Sequence, residues 1–383
     1  MKQRIIVLGS TGSIGRNALD VLASMSETCE VVGLAAASRA AELAAQADRF
    51  RTEAVALADG DRLPELRGAM RHGATVYSGS EALVKLVEEV ACNCVLVGVV
   101  GAGGLAATMR AVELGRRVAL ANKETLVMAG ALIMPLAART GAKILPVDSE
   151  HSAIFQAMQA GQRTEVEAVY LTASGGPFFD WSAGEMEEAT LEDALRHPTW
   201  AMGPKTTIDS ATMMNKALEI VEARWLFDLS PERIKVVIHP ESIIHSLVEF
   251  CDGSLMAQLS RPDMRMPIQY AITFPARRPC PARRLDLYEL GQLTLLAPDA
   301  ERFPALGLGH AVAARGGTAG AVMNAANEAA VTLFREGAIH FRDIARCVEQ
   351  ALEEHAFVPQ PTLEDLWAAD HWARQKVTQC VTC

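Results

Sequence analysis

The sequence predicts an α/β protein. Its parts are an N-terminal, Rossmann-like doubly wound parallel sheet, a central α+β domain and a small C-terminal helical domain. Three observations predict this. Short apolar runs alternate with helical patterns from residue 4 to residue 147, as repeated βαβ units do. A glycine-rich turn follows the first of those runs. Beyond residue 150 the alternation stops and a hairpin signal appears.

The chain has 383 residues, of which 50% are hydrophobic and 21% charged, enough apolar material for two or three cored domains. The net charge of −10 argues against a nucleic-acid surface. It leaves small anionic substrates open, since local cations can hold those. No uncharged apolar run of ~18 residues predicts a membrane span, and Met1-Lys2-Gln3-Arg4 has no signal-peptide core; the expectation is a cytoplasmic protein. The eight cysteines are scattered and read as free thiols. Cys380 and Cys383 have C-x-x-C spacing at the extreme terminus, without the second pair that a zinc site needs.

Taken in order, Arg4–Leu8 reads as a buried strand. Gly9-Ser10-Thr11-Gly12-Ser13-Ile14-Gly15 follows, and then a helix with Ile14, Ala18, Val21, Leu22 and Met25 on one face. Strand, glycine turn and helix is the context of a phosphate-binding turn. The spacing is G-x-x-G-x-x-G, and a tight turn without a ligand is the alternative. Val31–Ala36 is the second strand. It ends at Ala37-Ser38-Arg39, without the acid that would hold a ribose diol, so Ser38 and Arg39 favour a 2′-phosphate and hence NADP. Further strands are Glu53–Ala58, Ala74–Tyr77, Cys94–Val99, Arg117–Ala121 and Ile144–Val147, for a parallel sheet of about seven strands. Ala121-Asn122-Lys123-Glu124 lies at a strand's carboxyl end, where ligands of such sheets bind. Asp148 and Glu150 end the last strand at i and i+2. They read as a hard-cation site, an acid/base pair, or the acidic start of a helix over Glu150–Gln159.

The predicted divisions are 1–149, 150–274, a proline- and arginine-rich linker at 275–304, and 305–383. In the second, Val166–Ala173 is a strand followed by Ser174-Gly175-Gly176-Pro177. The segment 174–204, with His197, Trp200 and Met202, reads as a lid. Asp209–Phe227 reads as one long helix with Asn215 and Glu219 on one face. Cys251-Asp252-Gly253-Ser254 between Ile244–Phe250 and Leu255–Ser260 is a hairpin signal. His239 and His245 read as hydrogen-bonding rather than metal-binding. Gly317–Arg335 and Phe341–His355 are helical.

These blocks resemble one family. The glycine turn, Ala121-Asn122-Lys123-Glu124, Val147-Asp148-Ser149-Glu150-His151, Ala173-Ser174-Gly175-Gly176-Pro177-Phe178, Arg196-His197-Pro198-Thr199-Trp200-Ala201-Met202-Gly203, Asp209-Ser210-Ala211-Thr212-Met213-Met214-Asn215-Lys216 and Asn324-Ala325-Ala326-Asn327-Glu328 are similar, in order, to those of 1-deoxy-D-xylulose 5-phosphate reductoisomerases. The resemblance implies NADPH-dependent isomerisation and reduction of that sugar phosphate to 2-C-methyl-D-erythritol 4-phosphate, with Mg²⁺ or Mn²⁺, in a homodimer. It implies metal ligands Asp148, Glu150 and Glu219, and phosphate contacts from Ser174, Ser210, Asn215 and Lys216. Lys123, Ser149 and His197 would meet the carbohydrate hydroxyls, with Trp200 as cover. Thr11, Gly12, Ser13, Ile14, Asn122, Glu124 and Gly203 would hold NADPH. Ala37-Ser38-Arg39 departs from the Gly-Lys-Asn-like triplet of many relatives, so Arg39 is the expected substitute. Two other readings are a metal-independent Rossmann dehydrogenase and a nucleotide-binding regulator without turnover.

Overall fold

Ile5 to Leu8 are fully buried, as an apolar run in the middle of a parallel sheet must be. In this computed structural model, which describes residues 2–200 and 202–380, they form the central strand of seven. The strands are β1 (Gln3–Leu8), β2 (Cys29–Ala36), β3 (Ala54–Leu57), β4 (Thr75–Ser78), β5 (Cys94–Val97), β6 (Arg117–Leu120) and β7 (Ile144–Pro146). Their order is β4-β3-β2-β1-β5-β6-β7, and every pair is parallel. The helices between them are α1 (Ser13–Ser24), α2 (Ala40–Phe50), α3 (Leu63–Ala69), α4 (Ala82–Glu89), α5 (Leu105–Glu113) and α6 (Lys123–Thr140). α7 (Ser149–Ala157) follows β7.

The remaining elements are β8 (Val166–Ala173), α8 (Ala183–Glu187), α9 (Leu191–Ala194), α10 (Pro204–Ala211), α11 (Met214–Phe227), β9 (Ile234–Ile238), β10 (Ile244–Phe250) and β11 (Leu255–Leu259). After them come α12 (Arg265–Thr273), α13 (Leu287–Leu290), α14 (Ala305–Arg315), α15 (Ala319–Arg335), α16 (Asp343–Glu354) and α17 (Leu363–Cys380). A second sheet runs β11-β10-β8-β9, with only β8 and β9 parallel. No helix among the described residues is long and apolar enough to cross a membrane.

The chain divides into two units. The first holds Met1–Thr125, Ile133–Ser152 and Asp263–Arg283; the second holds Leu126–Leu132, Ala153–Pro262 and Arg284–Cys383. The second therefore carries the four-stranded sheet together with the C-terminal helices. Asp263–Arg283, which the sequence reading split between the middle domain and the linker, belongs to the first unit for a physical reason. α12 packs on α1, β6 and β7. Arg117 donates to the Ile272 carbonyl at 2.9 Å, and Arg265 pairs with Asp20 at 3.0 Å.

Three further features differ from the sequence reading. Asp209–Phe227 is not one helix: Met213 sits at φ +60° and separates α10 from α11, a conformation no hydrophobic periodicity announces. The segment 174–204 is not a free loop throughout. Phe178 is fully buried against Trp181 and Phe341, with centroids 4.6 and 4.7 Å away. Capping boxes at Ser182/Glu185 and Thr190/Asp193 start α8 and α9. Among the described residues, α8 and α9 interrupt a segment that otherwise has no regular structure. Helices α14 and α17 lie in the division at 305–383 that the sequence marks as helical, but the sequence reading gives bounds only for the other two. Cys29, Cys92, Cys94, Cys251, Cys280 and Cys347 form no disulfide, and Cys383, half of the C-x-x-C pair, lies outside the described residues.

In the second unit α15 meets the Leu126–Leu132 turn of α6 without a gap. A Cβ at Gly320 would lie 2.0 Å from the Val127 carbonyl oxygen. Gly320→Ala should therefore cost about 1–3 kcal/mol of stability by overpacking and lower the thermal midpoint. An unchanged midpoint in calorimetry would show that the backbones can part there.

Candidate active site

The glycine turn has the shape its sequence requires. Gly9 has φ +83°, and a Cβ there would sit 2.5 Å from the Gly98 carbonyl oxygen after β5. At Gly15 a Cβ would fall 2.3 Å from the Gly9 carbonyl oxygen, so the helix can lie on the strand end only without a side chain. Gly12 is the extended N-cap of α1, with no side-chain cap and no acid in the first turn. Thr11 is buried, Ser13 exposed and Ile14 half-buried. The helix start thus offers backbone N–H groups to an anion with little in the way. It also lies where β1 and β5 diverge, the switch point at which doubly wound sheets take dinucleotides. Arg39, exposed together with Ser38, donates to the Thr11 carbonyl at 2.7 Å. That bond stations a guanidinium beside the turn, where a 2′-phosphate could be bound bidentately.

At the ends of β6 and β7 the same unit gathers polar groups. Asn122 is 2% exposed and caps α6 by accepting from the Thr125 N–H at 3.1 Å. Its amide donates to Val99 O at 2.6 Å, Gly101 O at 2.9 Å and Glu124 at 3.1 Å. Asn122 and Glu124 therefore brace the loop bearing Lys123. The Lys123 ammonium pairs with Asp148, their side chains only 11% and 12% exposed, and Ser149 donates to Glu150. Asp148 and Glu150 are half-buried, and their donors are all oxygen, the set that hard divalent cations prefer.

In the second unit a histidine organises two serines. The His197 Nδ1 accepts the backbone N–H of Thr199 at 3.1 Å and of Trp200 at 2.9 Å. Nδ1 is therefore unprotonated, and the ring proton is on Nε2. Nε2 stands 3.1 Å from both Ser174 Oγ and Ser210 Oγ, and Ser174 Oγ also accepts the Gly176 N–H at 3.2 Å. With oxygens occupied as acceptors, the serine hydroxyls keep their own protons for an anion. Gly176, at φ +69°, allows this closeness, since a Cβ there would lie 2.6 Å from the Ser210 carbonyl. On α11, Lys216 is buried and pairs with Glu219, which also accepts from Asn215 at 2.5 Å. Trp200 is half-buried, its ring 6.2 Å from that of His245, and Gly203 is the exposed N-cap of α10.

Comparison with known proteins decides the family. The models described as 1-deoxy-D-xylulose 5-phosphate reductoisomerase, its C-terminal domain and the DXP reductoisomerase C-terminal domain match residues 5–130, 144–227 and 259–376. A protein of that name from Synechococcus sp. (strain JA-2-3B'a(2-13)) is 48% identical, over 98% of this chain and 97% of its own length. The chain belongs to the 1-deoxy-D-xylulose 5-phosphate reductoisomerase family. A reductoisomerase structure from Zymomonas mobilis in complex with NADPH superposes with a TM-score of 0.94 at 40% identity, covering 100% of this chain and 99% of that one. Another reductoisomerase structure, in complex with NADPH, fosmidomycin and magnesium, gives 0.94 at 38% identity, covering 99% and 98%.

Within this reductoisomerase chain His239 and His245 are hydrogen-bonding groups, as the sequence suggests, and one buried group, Asp209, goes unmarked by it. His239, fully buried, accepts the Ile243 and Ile244 N–H groups through Nε2 at 3.1 Å, while Nδ1 faces Thr294 O at 2.7 Å. It ties the β9–β10 turn together, and His245 likewise meets Ser260 at 2.9 Å, so both serve hydrogen bonding. Asp209, 1% exposed, was visible only as a helix start.

Two outcomes follow from this geometry. Arg39→Ala should raise the KM for NADPH about tenfold or more, the worth of a charge-assisted bidentate pair, and the KM for NADH much less. Equal effects would place the discrimination elsewhere. Burial lowers the His197 pKa below the usual imidazole value. A depressed value means the folded state binds fewer protons than the unfolded one, so the contribution is present above about pH 6.5 and is lost as pH falls through the lowered pKa. A ring NMR titration should show a midpoint below the ordinary one, with the Trp200 amide losing protection as the ring is protonated. A midpoint at or above the ordinary value would refute the depression by burial.

Proposed function

We propose that this chain converts 1-deoxy-D-xylulose 5-phosphate into 2-C-methyl-D-erythritol 4-phosphate, a step of non-mevalonate isoprenoid synthesis, using NADPH and Mg²⁺ or Mn²⁺. Family membership supports the reaction. On the chain itself, the observation that carries it is the His197–Ser174–Ser210 cluster, whose hydroxyl protons are left for a phosphate.

In this reading the carbon skeleton rearranges to a branched aldehyde. A hydride from NADPH then reduces the aldehyde carbon, and a proton goes to its oxygen. The glycine turn, with Thr11, Gly12, Ser13 and Ile14, takes the pyrophosphate; Ser38 and Arg39 take the 2′-phosphate; Asn122, Glu124 and Gly203 complete the cofactor contacts. Ser174, Ser210, Asn215 and Lys216 hold the substrate phosphate. Lys123, Ser149 and His197 orient the carbohydrate hydroxyls, and Trp200 excludes water. Asp148, Glu150 and Glu219 are the ligands of the cation. When bound, the cation would hold the carbonyl and a neighbouring hydroxyl oxygen and offset the negative charge that develops there.

We also assign this reductoisomerase to the cytoplasm as a homodimer. The dimer reading is supported by β11, an edge strand whose Leu255, Met256 and Leu259 are 54%, 42% and 37% exposed; an unpaired apolar edge invites a second copy. Sedimentation at the monomer mass would remove that assignment.

The deciding experiment is NADPH oxidation with 1-deoxy-D-xylulose 5-phosphate, with and without Mg²⁺. Oxidation without metal would favour an ordinary Rossmann dehydrogenase, and cofactor binding without turnover a regulatory protein. Glu219→Gln should cut turnover about 100-fold or more and weaken Mn²⁺ binding in parallel, with NADPH affinity near normal. Retained Mn²⁺ affinity and turnover would reduce Glu219 to a structural helix residue.

A further inference from the structure

Asp209 precedes Ser210 on the last turn of α10 and is 1% exposed. A carboxylate is a poor neighbour for a phosphate site: buried like charges interact strongly because little water screens them. Its two oxygens are engaged from different elements. The Lys205 ammonium, one turn earlier on α10, stands 2.7 Å from Oδ2. Asn327, fully buried on α15, donates to Oδ1 at 2.8 Å. The Asn327 amide oxygen meets no hydrogen-bond partner among the described residues, so the bond to Asp209 is the polar contact that orients the amide.

We propose that Lys205 and Asp209 are a positioning pair for substrate phosphate. Asp209 anchors the end of α10 to α15 through Asn327, which sets Ser210 at its distance from His197. Lys205 cancels the charge that this anchor brings, so the anion at Ser210 faces no net repulsion from it. The pair acts through Ser210 rather than by touching the substrate. It rests on the reading of Ser174 and Ser210 as the phosphate subsite. Lys205 belongs to none of the residue sets that the family resemblance implies, and its role is legible only from its partner.

The test measures inorganic phosphate binding by calorimetry on the full chain, together with KM and kcat for 1-deoxy-D-xylulose 5-phosphate. Lys205→Gln leaves Asp209 charged and uncompensated. It should weaken phosphate binding and raise KM together, each by about tenfold, with kcat within about twofold of wild type. Adding Asp209→Asn removes the charge and keeps an acceptor for Asn327; the double variant should return both to within about threefold of wild type, the signature of a coupled pair. Lys205→Arg, which keeps the charge, should bind phosphate like wild type even if Lys205→Gln folds poorly. A double variant no better than Lys205→Gln, or a Lys205→Arg variant as weak as it, overturns the proposal. A wild-type chain that binds no phosphate removes the subsite reading and this pair together, whereas wild-type binding without recovery in the double variant removes the pair alone.

Discussion

All seven strands of the first sheet run the same way, and the first unit's chemistry depends on that constraint. A parallel sheet sends every strand-to-helix loop out of one edge. The turn after β1, the Asn122–Glu124 loop after β6 and the acids after β7 therefore share an edge although more than a hundred residues separate the first from the last. Because β1 lies between β2 and β5, the flanking loops diverge there. The Gly9 backbone can then approach Gly98 so closely that no side chain fits between.

The second unit obtains its polar cluster in the opposite way, through interruptions of regular structure. Met213 breaks what would otherwise be one helix, so Ser210 lies in the last turn of one segment and Asn215 in the first turn of the next. Gly176 turns left-handed and lets β8's exit touch α10. His197 is then fixed by two main-chain donors on one ring nitrogen, which leaves the other a donor. Each interruption costs conformational energy. Buried contacts such as Phe178 on Phe341 and Asn327 on Asp209 hold the surroundings in place against that cost.

The sheet was legible in the sequence because buried parallel strands are near-continuous apolar runs: Cys94–Val97 and Ala54–Leu57 need no partner to be recognised. The glycine turn was legible for the same local reason. Ser174, His197, Ser210 and Lys216 were not derivable from spacing; their motifs' similarity to a family supplied them. What stayed hidden depends on distant contacts. Nothing local marks Met213 as left-handed, or tells that Phe178 and Met186 are buried and so bind most of the 174–204 segment to the unit's core. The prolines and arginines near residue 280 imitate a linker, while α12 before them is held by α1, β6 and β7.

Asn122 leaves this protein one position with no substitute. Its two amide hydrogens are shared among Val99 O, Gly101 O and Glu124, while its oxygen accepts from Thr125. Aspartate copies the outline but turns the donor into a charge aimed at three oxygens. Glutamine is a methylene too long for the cap, and serine caps but cannot reach Val99 O and Gly101 O after β5. A carboxylate in place of this amide would unlatch the loop bearing Lys123 from the chain that follows β5, with every other residue intact.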